Sequence, residues 1–440
     1  MSSKDPREIL ANSPMGTFQV IAVGMCVLLN ALDGFDVLSI SFAAPGIASE
    51  WGVDRAALGI VLSMELIGMA VGSVVIGSVA DVIGRRPTIL ICLTAMAIGM
   101  GLAATANGIE ILSVYRFATG LGIGGVLAAT NAMVAEYANA KRKSLAVTTM
   151  AAGYPIGAII GGTIASMLLA YYDWRAVFIF GAVMTVIFIP LIWYFLPESI
   201  EFLSQKRPAG ALEKINSTLK RMGHETVSEM PVVVEEPKKI GVGRLFGPEL
   251  ARTTTILTFA YFAHIMTFYF YLKWIPKIVV DLGFEPSLAG SVLVWANVGG
   301  ASGAILLGLL AMKYGIRALV IGAMLVGGAM VTLFGQAPSD LAKLSVIACV
   351  AGFFTNAAIV GLYAIFAHSF PTEVRAGGTG FVIGVGRGGA ALGPVIAGFL
   401  FESGYGLSMV AVFMAMGSIC AALALVLLGR PRNSAAQPAE

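Results

Sequence analysis

The sequence predicts an all-α membrane protein, with twelve transmembrane helices arranged as two six-helix, pseudo-symmetric halves. Three observations lead there. The 440-residue chain is 58% hydrophobic and only 12% charged, about half the roughly 25% usual in a soluble domain. Its apolar runs reach the ~20 residues a helix needs to cross a bilayer. They fall in two groups of six, separated by one long polar stretch.

Bounded by charge, Pro or Gly, the runs lie near 18–44, 56–80, 88–107, 109–136, 144–170 and 175–196, then 253–276, 286–311, 317–336, 341–367, 377–401 and 406–428. The gap from Pro197 to Ala251 holds the charge-rich segment Glu235 to Lys239 and a surface helix around Ala209 to Met222. The expected division is therefore 1–196, a loop at 197–251, and 252–440. The polar start, Met1 to Gly16, precedes an apolar run longer than a signal-peptide core, so the first helix is expected to be retained. The 53 glycines suit closely approaching membrane helices.

Charge placement sets the orientation. Of 28 Lys and Arg residues, 21 fall in one set of loops, which places both termini and the central loop in the cytoplasm. Arg55, Arg175, Lys273, Lys277 and Lys343 are assigned to the opposite side, and Arg116 and Arg387 lie within spans. The net charge of +3 is spread over short loops, which argues against a nucleic-acid partner. Cys26, Cys92, Cys349 and Cys420 lie in apolar stretches without paired spacing, so neither a disulfide nor a metal site is expected, and no cofactor is implied.

The halves echo one another. Gly77-Ser-Val-Ala-Asp81-Val-Ile-Gly84-Arg85-Arg86 follows the second span, and a degraded copy, Gly308 to Arg317, follows the eighth. Spans five (Gly153, Gly157, Gly161, Gly162) and eleven (Gly384, Gly386, Gly388, Gly389, Gly393, Gly398) are both glycine-rich. Two six-helix halves with a Gly-x-x-x-Asp-x-x-Gly-Arg-Arg loop resemble the major facilitator superfamily over nearly the whole chain. A finer likeness rests on Asp33-Gly-Phe-Asp36, Arg116-Phe-Ala-Thr-Gly120, Pro197-Glu-Ser-Ile-Glu-Phe-Leu203, Pro371-Thr-Glu-Val-Arg375 and Gly384-Val-Gly-Arg387. Together these resemble the aromatic acid:proton symporters. The resemblance implies uptake of benzoate-type anions such as 4-hydroxybenzoate or protocatechuate across a bacterial inner membrane, feeding aromatic hydrocarbon catabolism. A drug antiporter usually has a Gly-Pro step in span five, where this chain has Gly153-Tyr-Pro155-Ile-Gly157.

The residues themselves supply candidates. An ionisable group at a helix centre costs about 2.5–3.5 kcal/mol on insertion scales, so each needs a partner or a cavity. At about 1.5 Å rise per residue, Asp33 and Asp36 lie roughly 12–17 Å from the outer end of span one, Glu65 about 14 Å and Arg116 about 11 Å from theirs. His264 and Arg387 come out roughly 15–18 Å above the cytoplasmic surface. Spaced at three, Asp33 and Asp36 share a helix face, and two like charges in a low dielectric resist being ionised together. They are the proton-coupling candidates, with Glu65 as a third. The alternative is a structural pair neutralising Arg116. Arg387, and after it Arg116, is the candidate to grip a substrate carboxylate by bidentate hydrogen bonds. Tyr261, His264, Phe268 and Tyr271 fall at helical spacing on one face, suited either to stack on a planar ring or simply to pack. In the loops, Gly77, Asp81, Gly84, Arg85 and Arg86 form a candidate cytoplasmic latch with Asp81 as hydrogen-bond acceptor, and Glu136 and Arg375 are candidate gating groups.

The expectation is thus a monomeric, non-enzymatic carrier of a small aromatic carboxylate and protons, working in a lipid bilayer by alternating access. Bringing a monovalent anion into a negative-inside cell costs about 2.3 kcal/mol per 100 mV, which an accompanying proton removes. Rival readings are a symporter of another organic or sugar acid, and a proton-coupled drug-type antiporter.

Overall fold

The computed structural model describes residues 5–231, 242–371 and 374–428. The segment Glu235 to Lys239, Thr372 and Glu373 of the Pro371-to-Arg375 element, and the basic residues Lys4, Arg430 and Arg432 lie outside the described residues. A short helix α1 (Pro6–Asn12) leads into α2 (Thr17–Trp51), α3 (Arg55–Ile83), α4 (Arg85–Ala104), α5 (Ile109–Tyr137), α6 (Lys143–Leu168) and α7 (Arg175–Phe195). Two short helices, α8 (Ile200–Lys206) and α9 (Ala211–Met222), and a 3-10 turn at Val242–Phe246 follow. The rest is α10 (Ala251–Asp281), α11 (Pro286–Ala311), α12 (Ile316–Phe334), α13 (Leu341–Ser369), α14 (Arg375–Glu402) and α15 (Leu407–Leu427).

Twelve of the described helices are long and apolar enough to cross a membrane. All twelve expected spans are present, some with longer ends and others, such as α15, slightly shorter. α2 runs to Trp51 rather than 44 because the turn that stops it is set by Gly52, whose φ of +59° a side chain rarely adopts. α10 continues past Pro276 to Asp281. In α9, Ala211, Ile215, Leu219 and Met222 are buried at steps of three and four while Glu213, Lys214, Lys220 and Arg221 face outward, the pattern of a surface helix.

The described residues cluster into two compact units, one within Met1–Pro237, Leu272–Val298 and Pro394–Gly404, the other within Lys238–Tyr271, Gly299–Gly393 and Tyr405–Glu440. In the first unit α2 packs along α6, α3 along α5 and α4 along α7. Glycine makes the second of these crossings possible: a Cβ on Gly120 would lie 2.2 Å from the Glu65 carbonyl oxygen, and one on Gly68 2.2 Å from that of Phe117. In the second unit Gly389 and Gly393 of α14 lie against the backbone of Phe262 and Met266 in α10. Gly299 and Gly303 of α11 lie likewise against Cys349 and Phe353 of α13, and α12 packs along α15. Within the units, first-with-fifth, second-with-fourth and third-with-sixth pairing recurs as seventh-with-eleventh, eighth-with-tenth and ninth-with-twelfth, as internal duplication requires.

Overpacking the α3–α5 crossing should be costly. Gly120→Val is expected to lose about 1–3 kcal/mol, read as a lower melting temperature of the detergent-solubilised protein. Gly24→Ala, whose Cβ meets nothing within 4 Å, should melt with the native chain.

Candidate functional site

The first unit holds a buried cluster of charge. Glu65 (α3) is fully buried and forms ion pairs with two fully buried cations, Arg116 (α5) and Lys273 (α10), the second at 3.7 Å. The guanidinium of Arg116 also donates to the Asp36 carbonyl oxygen at 2.9 Å, contacts the Met100 sulfur at 2.8 Å, and lies 5.3 Å from the centre of the Phe178 ring. Lys273 donates to the Val37 carbonyl oxygen. Two successive carbonyls of α2 thus receive cations from α5 and α10.

Asp33 and Asp36 belong to the same cluster and are its unpartnered members. Both are buried, and among the described residues neither carboxylate has a hydrogen-bond partner. Asp33 is within reach of the charges of Asp36 and Glu65, and Asp36 within reach of Glu65 and Arg116. A buried carboxylate without donors is far costlier than a protonated one.

Lys273, which the charge count places on the outer side, lies well inside α10, which runs on to Asp281, and its side chain is fully buried in the cluster. The signal was present: a lysine between Leu272 and Trp274 interrupts an otherwise apolar and aromatic run, and the three acids Asp33, Asp36 and Glu65 outnumber the single cation Arg116.

The aromatic face of α10 is committed within the second unit. Tyr261 is 3.0 Å hydroxyl-to-hydroxyl from Tyr363 and meets the edge of Phe366, and the Tyr271 hydroxyl donates to the Ala348 carbonyl at 2.8 Å. His264 is fully buried, with Nε2 at 2.9 Å from the Thr355 carbonyl and Nδ1 at 2.9 Å from the Ser418 hydroxyl. A carbonyl only accepts, so Nε2 carries the hydrogen and Nδ1 accepts from Ser418, leaving no ring nitrogen for a ligand. Phe268 is buried against Tyr269, their rings edge to face. Three members of the face therefore lie along α13, at Tyr363, Thr355 and Ala348. Arg387 (α14) is half-buried and close enough to Tyr261 for its charge to act on that hydroxyl.

At the α8–α9 end of the first unit, Arg85 pairs with Glu136, whose other oxygen accepts from Ser199 at 2.5 Å. Glu198 accepts from the backbone N–H groups of Arg85 (2.9 Å), Arg86 (3.2 Å) and Ser199 (2.8 Å), capping the start of α4. Gly84, at φ +106°, permits this approach, since a Cβ there would lie 2.3 Å from Glu198 Oε2. Arg86 stacks over Trp193 and donates to its carbonyl. Asp81 is exposed, with Arg85 as its electrostatic neighbour, and the acceptors at this end are Glu136 and Glu198. Gly77 packs near Ala128; in the second unit, Arg375 is exposed with Nε 3.4 Å from the Phe370 carbonyl.

The fold and the buried ionisable cluster define a multi-span membrane transport protein, not an enzyme. The chain belongs to the major facilitator superfamily, whose model matches residues 26–273 and 257–440. Its curated relatives include the gallate transporter of Pseudomonas putida, 29% identical over 97% of this chain and 96% of that protein. The 4-hydroxybenzoate transporter of Acinetobacter baylyi is 30% identical over 96% and 94%. The 3-(3-hydroxy-phenyl)propionate transporter of Escherichia coli is 31% identical over 95% and 96%. Among solved structures, a bacterial homologue of the human lysosomal transporter Spinster, inward-facing and occupied, superposes with a TM-score of 0.71 at 15% identity, covering 93% of this chain and 97% of that one.

Removing one partner from a buried ion pair leaves the other uncompensated. Arg116→Ala is expected to cost about 3–5 kcal/mol and to lower both folded yield and melting temperature.

Proposed function

We propose that the protein imports an aromatic carboxylate together with protons across a bacterial cytoplasmic membrane by alternating access, with both termini in the cytoplasm. The observation that carries this reading is the pair of buried, unpartnered carboxylates Asp33 and Asp36 beside the Glu65–Arg116 ion pair, in a chain whose relatives are named for gallate, 4-hydroxybenzoate and 3-(3-hydroxy-phenyl)propionate. Three acids in an apolar interior give protons a place to bind, and protonation neutralises the charge that otherwise holds the cluster in one arrangement.

Asp33 and Asp36 are the proton carriers in this scheme, and Glu65 holds the two cations beside them. Arg116 is engaged by Glu65 and the α2 backbone, so it positions the cluster. Arg387, half-buried near Tyr261, is the carboxylate-binding residue, with the ring of Phe268 supporting the aromatic substrate; Tyr261, His264 and Tyr271 hold α10 against its own unit. Orientation rests on the basic loops, and moving Lys273 into a helix sharpens the bias by leaving Arg55, Arg175, Lys277 and Lys343 on the outer side. The sequence halves 1–196 and 252–440 move against each other, with Arg55–Asp281 and Lys273–Glu65 as outer clasps and Arg85–Glu136 bracing the cytoplasmic end.

Proteoliposomes with an acidic exterior are expected to accumulate labelled 4-hydroxybenzoate, to lose it on adding a protonophore, and to be competed by benzoates but not by sugars. Asp33→Asn and Asp36→Asn should each abolish accumulation while retaining folded yield, and Arg387→Ala should lose substrate binding. Protonophore-resistant uptake, or a gradient that drives efflux, would sink the symport reading and favour an antiporter.

A further inference from the structure

The charge balance of the buried cluster is uneven. Asp33 and Asp36 from α2 and Glu65 from α3 face Arg116 from α5 and Lys273 from α10. α4 contributes only the Met100 thioether and the Cys92 thiol, and α7 the Phe178 ring and Gly181, which lies beside an Asp36 oxygen. The charges that act on Asp33, Asp36 and Lys273 all come from within this group of five. Three acids less two cations leave one uncompensated negative charge, and it falls on Asp33 and Asp36, whose oxygens have no hydrogen-bond partner.

A net charge buried among apolar helices is resolved by a proton, and in this balance by one. Lys273 determines that number. Its ammonium lies 3.7 Å from Glu65 and donates to the Val37 carbonyl, which tethers it inside the cluster. Without it, the same three acids would face Arg116 alone, two negative charges would remain, and neutrality would take two protons.

We propose that Lys273 is a tethered counter-charge that stands in place of a second proton in the Asp33–Asp36–Glu65 cluster and so fixes coupling at one proton per aromatic anion. The inference rests on the proton-symport reading. One proton moving with one monovalent anion carries no net charge, so native transport responds to a pH gradient and ignores the membrane potential. Lys273→Met recruits a second proton, and each cycle then moves one positive charge inward. Lys273 acts through the carboxyls as a positioning residue; it does not carry the transported proton.

The test holds the pH gradient fixed across proteoliposomes, sets a potassium diffusion potential with valinomycin, and measures the plateau of labelled 4-hydroxybenzoate. The native plateau is expected to be flat with potential. That of Lys273→Met should rise about tenfold for each 59 mV, inside negative. Glu65→Gln/Lys273→Met, with two acids facing Arg116, again has one excess negative charge and should be flat, a rescue that a merely structural role for Lys273 would not produce. A potential-dependent native plateau overturns the proposal without any variant, as does a flat plateau in Lys273→Met. Should Lys273→Met accumulate nothing, the double variant decides: flat, gradient-driven uptake supports the proposal and absence of uptake overturns it. Loss of gradient-driven uptake in the native protein is a separate result that removes the symport reading itself.

Discussion

The structure depends on the contact of Glu65 with Arg116 and Lys273 in a medium that cannot solvate any of them. Each charge alone would be expelled from an apolar interior, and each is kept there by the others. Around this contact the helices are ordered. Arg116 brings α5 to the Asp36 carbonyl, Lys273 brings α10 to the Val37 carbonyl, and the Gly68–Gly120 crossing lets α3 and α5 approach closely enough for Glu65 and Arg116 to pair. The two aspartates one turn apart on α2 inherit the imbalance, and their unpartnered oxygens are where the protein's chemistry is available to change.

The same network joins parts of the sequence that are far apart in the chain. Lys273 and Asp281 come from the second sequence half, yet they pair with Glu65 and Arg55 of the first within one compact unit. Gly398 of α14 meets the Arg55 backbone in that unit, and Gly59 of α3 meets that of Pro394. Glycine contacts of this sort can slide or part with little loss, whereas an ion pair is sensitive to protonation.

Much of this was legible in the sequence, for identifiable reasons. Span number and the repeat in the second half follow from hydropathy and glycine placement, because lipid forces every spanning segment into a helix and close helix crossings need small residues. Asp33, Asp36, Glu65 and Arg116 stood out as charges inside apolar runs, and helix rise put them in one layer. Lys273 was missed because a lysine near a helix end usually reaches for the interface, and only a partner on another helix reveals that it turns inward. The aromatic face of α10 shows the converse limit: spacing placed Tyr261, His264, Phe268 and Tyr271 together, but spacing is silent on whether a face meets a ligand or the next helix. For Tyr261, His264 and Tyr271 the neighbour is α13. At the loop, Asp81 was the conspicuous acid, while the capping is performed by Glu198 of the Pro197-Glu-Ser element, more than a hundred residues further along the chain.

The central claim is that a buried acid of this cluster carries its proton inward with the substrate. The most direct measurement is the pH of a weakly buffered medium around proteoliposomes when 4-hydroxybenzoate is added at matched pH with no imposed gradient. Alkalinisation of the exterior in step with labelled uptake, lost in Asp33→Asn and Asp36→Asn, is the result the account predicts. Uptake with no pH change, or with acidification of the exterior, would contradict it.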